Sequence, residues 1–91
     1  MTRVDWHEED GVLVRDLRFR DFEAAFAFVG MIARGAADYG RRPDMSISEF
    51  NHVRLSIANL HHAGITQAER RLAAKVDAIV AWSAPVAPPH A

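Results

Sequence analysis

An α+β fold with an antiparallel sheet follows from three features of the sequence. The run "NHVRLSIANL" alternates, with Val53, Leu55 and Ile57 on one side and Arg54, Ser56, Ala58 and Leu60 on the other. This is the period-two pattern of a strand with one buried face, and sheets with one solvated face are characteristically antiparallel. Apolar residues at three- and four-residue steps, Phe22, Phe26, Val29, Ile32, Ala33 and Ala36, mark an amphipathic helix earlier in the chain. Later, "TQAE" has the form of a capping box: the Thr66 hydroxyl can accept from the Glu69 amide while the Glu69 side chain reaches back to the Thr66 amide.

Taken in order, "EEDG" is a turn signal, and "VLVRDLRF" after it predicts a short strand from Val12 to Phe19 with Val12, Val14 and Leu17 among polar neighbours. Asp21 is placed to cap the first helix, and Gly40 to end it. Gly30 and Gly35 lie inside that helix, where each costs up to about 1 kcal/mol relative to alanine; close packing against the sheet would account for them. Beyond "RRPD", "MSISEF" predicts a strand ahead of the alternating one, and "HHAG" a turn. The second helix carries Leu72, Val76, Ile79 and Val80 on its apolar stripe. Val53, Leu55 and Ile57 are therefore expected against Phe22, Phe26, Val29, Leu72 and Val76, with Arg54 and Ser56 facing away. The closing "SAPVAPPHA" is too rich in proline and too poor in large apolar residues to fold alone, so one domain is expected over 1–83 and a disordered tail over 84–91.

Composition bounds the partners. A chain of 91 residues forms a modest core, and self-association would bury more apolar surface. The formal net charge of −1 with mixed signs gives no footprint for nucleic acid or membrane. With no cysteine there is no disulfide framework, thiolate nucleophile or zinc ribbon, and "MTRVDWHEED" lacks the apolar run of a signal peptide; a cytoplasmic protein is expected.

The order of elements and residues together resembles a known family. "W-x-E-x-D-G-x-L-x-R" from Trp6 to Arg15, "FRDFEAAFAF" from Phe19 to Phe28, "RPD", "V-x-L-x-I" and "AGIT" before a capped helix look like the pterin-4a-carbinolamine dehydratases, over about Trp6 to Trp82. The resemblance implies a four-stranded antiparallel sheet with its helices on one face, assembled as a homodimer or homotetramer. It also implies dehydration of 4a-hydroxytetrahydropterins, with some members acting as dimerisation cofactors of transcription factors. No metal or cofactor is expected.

This chain departs from the family where the chemistry would be. The family pattern is an acidic residue, three positions, then His-His-Pro, with a further histidine in a Thr-His strand ending. Here the acidic position falls on Ala37, the histidine pair on Arg41 and Arg42, the proline on Pro43, and the strand-end histidine on Leu60. Loss of a 4a-hydroxyl needs one group to protonate the leaving oxygen and another to take a proton from the ring nitrogen. Arginine stays protonated and cannot take that proton.

Two function classes stay open. In one, the chain is a non-catalytic interaction or assembly protein on the dehydratase fold, as in relatives that serve as coactivators or as Rubisco assembly factors. Arg41 and Arg42, with Asp44 and Arg54 nearby, would then dock an acidic protein partner or a small anionic ligand, because planar guanidinium groups bind carboxylates bidentately. The structural alternative makes the two arginines turn cations that favour the negative end of the preceding helix, with Asp38 and Asp44 as neutralising neighbours. In the other class the chain is a divergent dehydratase, or a relative recruited to another small cyclic substrate, with His52, His61 and His62 as candidate acids and bases. His62 returns to the Leu60 face if the strand continues, and His52 shares a face with Arg54. Adjacent histidines diverge, and no ligand spacing accompanies them, so "HH" is not read as a metal site.

Overall fold

A computed structural model describes residues 6–36, 43–59 and 64–83. The elements run β1 (His7–Glu9), β2 (Val12–Arg18), α1 (Phe22–Gly35), β3 (Asp44–Ser48), β4 (His52–Ala58) and α2 (Gln67–Ser83). All four strands join one antiparallel sheet in the order β1-β2-β4-β3. The long strand β4 lies within the run that alternation predicts, Asn51 to Leu60, and ends at Ala58; Leu60 lies outside the described residues. Its partner β2 stops one residue short of Phe19, whose amide instead donates to the Asn51 carbonyl.

β1 is a strand that the sequence reading did not contain. "HEE" has no apolar residue to alternate, so nothing in its composition distinguishes it from a loop. What makes it pair is the turn beyond it: Asp10 and Gly11 both have positive φ, 53° and 78°, the conformation of the two-residue hairpin turn whose twist matches that of its strands. Glu9 therefore faces Val12, and His7 faces Val14.

The inward row of the sheet is Leu13, Arg15 and Leu17 on β2, Val53, Leu55 and Ile57 on β4, and Met45 and Ile47 on β3. Val53, Leu55 and Ile57 are at most 1% exposed, and Arg54 and Ser56 lie on the opposite face, so the register is the expected one. Both helices cover this inner row, contributing Ala25, Phe28, Ile32 and Ala36 from the first and Leu72, Ala73, Val76 and Val80 from the second. The one charged side chain on the inner face of β2, Arg15, pairs with Asp77 of α2, which also accepts a 2.8 Å hydrogen bond from the Trp6 indole. This ties the first residues of the described chain to the second helix.

The expected face of α1 holds for Val29, Ile32 and Ala36, which meet the core, but not for the two phenylalanines at its start. Phe22 and Phe26 are 47% and 63% exposed, whereas Phe28 is buried and packs against Phe19 with ring centroids 4.9 Å apart and planes tilted by 34°. The helix carries two apolar stripes, and the sheet selects the one in which alanines at 25 and 36 allow close approach while Phe28 and Ile32 fill the space between. The start of the helix is as expected: Asp21 is extended, and its carboxylate accepts from the Ala24 amide at 2.8 Å. The helix ends at Gly35 with Ala36 as its cap, and Gly40 lies outside the described residues. Gly35 is indeed a point of close packing, but against α2, not the sheet. A Cβ there would sit 2.5 Å from the Ile79 Cδ1.

At α2, Glu69 is 3% exposed and its carboxylate accepts from both the Thr66 amide, at 2.7 Å, and the Thr66 hydroxyl, at 2.5 Å. The side chain reaches back as predicted, and the threonine hydroxyl acts as a donor to it. The domain limits expected at 83 and the tail over 84–91 fall where residues are no longer described.

The β3–β4 hairpin turns through Glu49, Phe50 and Asn51, with Ser48 opposite His52. Glu49 and Phe50 both have positive φ, 51° and 58°, which costs a residue with a Cβ about 1 to 2 kcal/mol. Asn51 holds the turn in place: its side-chain amide donates to the Phe19 carbonyl at 2.8 Å, and its Oδ1 accepts from Arg18 at 3.1 Å.

Candidate functional site

With both helices on the inner face, no described helix covers the outward row of the sheet, on which Val14 is buried and the charged residues are partly exposed. Cross-strand pairing places Asp16 opposite Arg54, Arg18 opposite His52, Ser46 opposite Arg54 on the other side, and Ser48 opposite His52. Neighbours one pair apart on the same face are within reach of long side chains. His52 and Arg54 therefore converge on Asp16.

Asp16 Oδ1 accepts from His52 Nε2 at 2.8 Å and from Arg54 Nε at 2.9 Å, while Oδ2 accepts from Arg54 Nη2 at 3.2 Å. The arginine thus grips the carboxylate with two parallel bonds, the geometry that its planar fork favours. Burial pulls the Asp16 carboxyl upward, but the hydrogen bonds and positive charges of Arg54 and His52 outweigh it and hold the group below its ordinary value. The same contact raises Arg54 above its own. The cluster continues to β1, where Glu9 lies 3.7 Å from Arg54 Nη1 and 2.5 Å from His7 Nε2.

The carboxylate also selects which ring nitrogen of His52 faces it as a donor. Ionised Asp16 only accepts, so Nε2 carries the proton and Nδ1 is turned toward the Ser48 hydroxyl at 3.5 Å. Serine, histidine and aspartate thus follow one another in the order of a nucleophile relay. At 3.5 Å the hydroxyl is at the outer limit of hydrogen bonding, and Asp16 is already shared with Arg54, so the line holds His52 in place without activating the serine.

Of the residues expected to carry function, His52, Arg54 and Asp44 share this open face. Asp44 opens β3 opposite Ser56, farther along the same row. Arg41, Arg42, His61 and His62 lie outside the described residues. Asp16, which organises the described part of the cluster, was not among the expected residues. Its signal is present in the sequence only when the strands are paired, because an aspartate at an outward position of β2 has meaning once Arg54 is known to stand opposite. No group of three or more potential metal ligands occurs among the described residues, and no described helix is long and apolar enough to cross a membrane.

An open antiparallel sheet backed by two helices, with a charged outer face, is a fold found among pterin dehydratase-like proteins. A structure of a transcriptional coactivator/pterin dehydratase from Brucella melitensis superposes with a TM-score of 0.70 at 28% identity, covering 81% of this chain and 80% of that one. A second structure, of a pterin dehydratase-like protein identified as a RuBisCO assembly factor in the alpha-carboxysome, has a TM-score of 0.64 at 21% identity, over 81% of this chain and 84% of that one. At that identity it speaks for the fold alone.

Sequence similarity narrows this class to a family. The family model described as pterin 4 alpha carbinolamine dehydratase matches residues 1–79, and the chain belongs to that family. A relative from Chloroflexus aurantiacus, named as an inferred pterin-4-alpha-carbinolamine dehydratase, is 38% identical over 78 residues, which is 86% of this chain and 83% of the relative. A similarly named relative from Acidobacterium capsulatum is 35% identical over 82% of this chain and 80% of its own.

Proposed function

We propose that this chain is a non-catalytic interaction or assembly protein built on the dehydratase fold, acting as a homo-oligomer in the cytoplasm. One sequence observation carries the reading: the positions matching the family's histidine pair hold Arg41 and Arg42, and the strand-end histidine is replaced by Leu60. A guanidinium cannot accept a proton near neutral pH, so the acid–base pair that dehydration needs is missing at its expected place. The arrangement around Asp16 supports the same view, because His52 is held by a carboxylate that Arg54 already neutralises. Arg41 and Arg42, with Arg54 on the open face, would supply cationic contacts to an acidic partner, and Asp44 would set how much of that charge is left free. That one protein of this fold is identified as a RuBisCO assembly factor supports an assembly role as compatible with the fold, without naming the partner of this chain.

Purified protein should leave the dehydration of a 4a-hydroxytetrahydropterin at its spontaneous rate. An acceleration of about a hundredfold, the lower end of what one positioned acid or base contributes, would overturn the proposal.

A second reading, a divergent dehydratase or a relative recruited to another small cyclic substrate, draws on the His52–Asp16 contact and on the names given to the relatives. An imidazole oriented by a carboxylate is suited to proton transfer. Under that reading, replacing His52, His61 or His62 with alanine should remove whatever acceleration is observed.

A further inference from the structure

The outward side of α2 carries charges that the fold does not use. Both carboxylates of this helix are committed within the molecule: Glu69 is buried against Thr66, and Asp77 accepts from Arg15 and from the Trp6 indole. Of its cations, Arg70 pairs with Glu8. Arg71 and Lys75 have no ion-pair partner among the described residues. They stand four residues apart, and Ala78 and Trp82 continue the same row at steps of three and four. Arg71, Ala78 and Trp82 are exposed and Lys75 is half-buried. The indole, at 85%, is the most exposed of the large apolar side chains among the described residues. Neither feature helps the helix itself. The last turn, where the helix dipole would favour a cation, holds none, and an indole left in water forgoes its burial.

We propose that this row binds an acidic helical segment of a protein partner, two of whose carboxylates meet Arg71 and Lys75 while a large apolar side chain covers Trp82. Charge complementarity selects the acid, because the row holds two cations and no anion. Its helical spacing selects the shape. A second helix laid alongside presents carboxylates four residues apart, and an apolar residue seven beyond them, at the heights of Lys75 and Trp82 and of Arg71. Ala74 and Ala78, both exposed, leave room for its backbone to come close. Nucleic acid fits less well, since two cations engage too few phosphates to hold a polyanion to a chain of net charge −1. The helix lies on the side of the sheet away from the Asp16 cluster, so the inference goes beyond the functional reading above, and a binding module or an enzyme could carry this contact.

Isothermal titration calorimetry of the full chain tests it, with circular dichroism to confirm folding. The probe is a helix-forming synthetic peptide with two glutamates four residues apart, a leucine seven residues before the first and another seven after the second, so that it can bind in either direction. The wild-type chain should bind it. A peptide with glutamine in place of both glutamates should bind at least about tenfold more weakly. Arg71→Glu and Lys75→Glu should each weaken binding of the acidic peptide by roughly tenfold, and Trp82→Ala by about thirtyfold, as for an aromatic anchor. Arg20→Glu, which makes the same change in net charge on the turn before α1, should leave binding as it was. The double variant Arg71→Glu, Lys75→Glu should in turn bind a peptide with lysines in place of the glutamates. Failure of the wild type to bind the acidic peptide, binding that survives the substitutions at Arg71, Lys75 and Trp82, or an equal loss from Arg20→Glu would each overturn the proposal. So would binding of phosphatidylglycerol vesicles, but not of the peptide, through these three residues, which would make the row a membrane contact.

Discussion

Replacing Phe28 with alanine should destabilise the domain by about 3 to 5 kcal/mol, the range for removing a fully buried aromatic side chain. Phe28 is 1% exposed and packs in a tilted contact against Phe19, which is itself buried just beyond β2. The ring fills the space beneath the helix at the point where Ala25 brings the backbone close to the sheet, so the surroundings cannot collapse into the cavity without moving α1. In a domain of this size such a loss approaches the whole stability. Phe50→Ala, at the exposed hairpin tip, should change the unfolding free energy by less than about 0.5 kcal/mol. Urea unfolding of the two variants measures the difference. Similar losses at both positions would mean that the inner face of α1 has been assigned incorrectly.

The second large effect is expected at Asp16. Its substitution by asparagine removes the anion that Arg54 and His52 share and should cost about 1 to 2 kcal/mol at neutral pH, the lower part of the range for hydrogen bonds to charged groups because Arg54 is half exposed. The pH dependence has a definite sign. A carboxyl held below its ordinary value binds its proton more readily in the unfolded chain. Its contribution is therefore present in full above the unfolded value, about 3.9, and disappears as pH falls through the lower value of the folded state. The stabilities of the wild type and Asp16→Asn should accordingly converge as unfolding is measured from pH 6 down to pH 2. A gap that stays constant or widens in acid would show that the aspartate contributes through packing and not through its charge.

How far the sequence foretells the molecule depends on how many patterns each segment supports. β4 offers one: a slip of a single residue would expose Val53, Leu55 and Ile57 together, so its register can be read from the chain alone. α1 offers two. Spacing favours the Phe22–Phe26 stripe as strongly as the Phe28–Ile32 stripe, and only the sheet, absent from a one-dimensional reading, decides between them. β1 offers none, and its presence is signalled by the Asp10–Gly11 turn instead of by its own residues. The same reasoning applies to the charged face. His52 and Arg54 attract notice as a histidine and an arginine on one side of a strand, but Asp16 is 36 residues from one and 38 from the other. Its role exists only in the pairing of β2 with β4.

That pairing also sets the order in which the chain can fold. The β1–β2 hairpin closes over two residues and the β3–β4 hairpin over three, and such units form in about 1 to 10 μs. The seam between them joins Val12 to Ala58 and Arg18 to His52, with the whole of α1 and β3 in the intervening chain. Loop-closure entropy must be met there before any contact rewards it. The central seam of the finished sheet should therefore be the last to close, with two preformed hairpins docking on either side of it. Until it does, both hairpins present unpaired strand edges, so crowded or slow folding should favour strand exchange between chains at this junction. Destabilising substitutions at Leu17 and Val53, which face one another across the seam, should then speed unfolding far more than they slow folding, whereas substitutions at the Asp10–Gly11 turn should do the reverse.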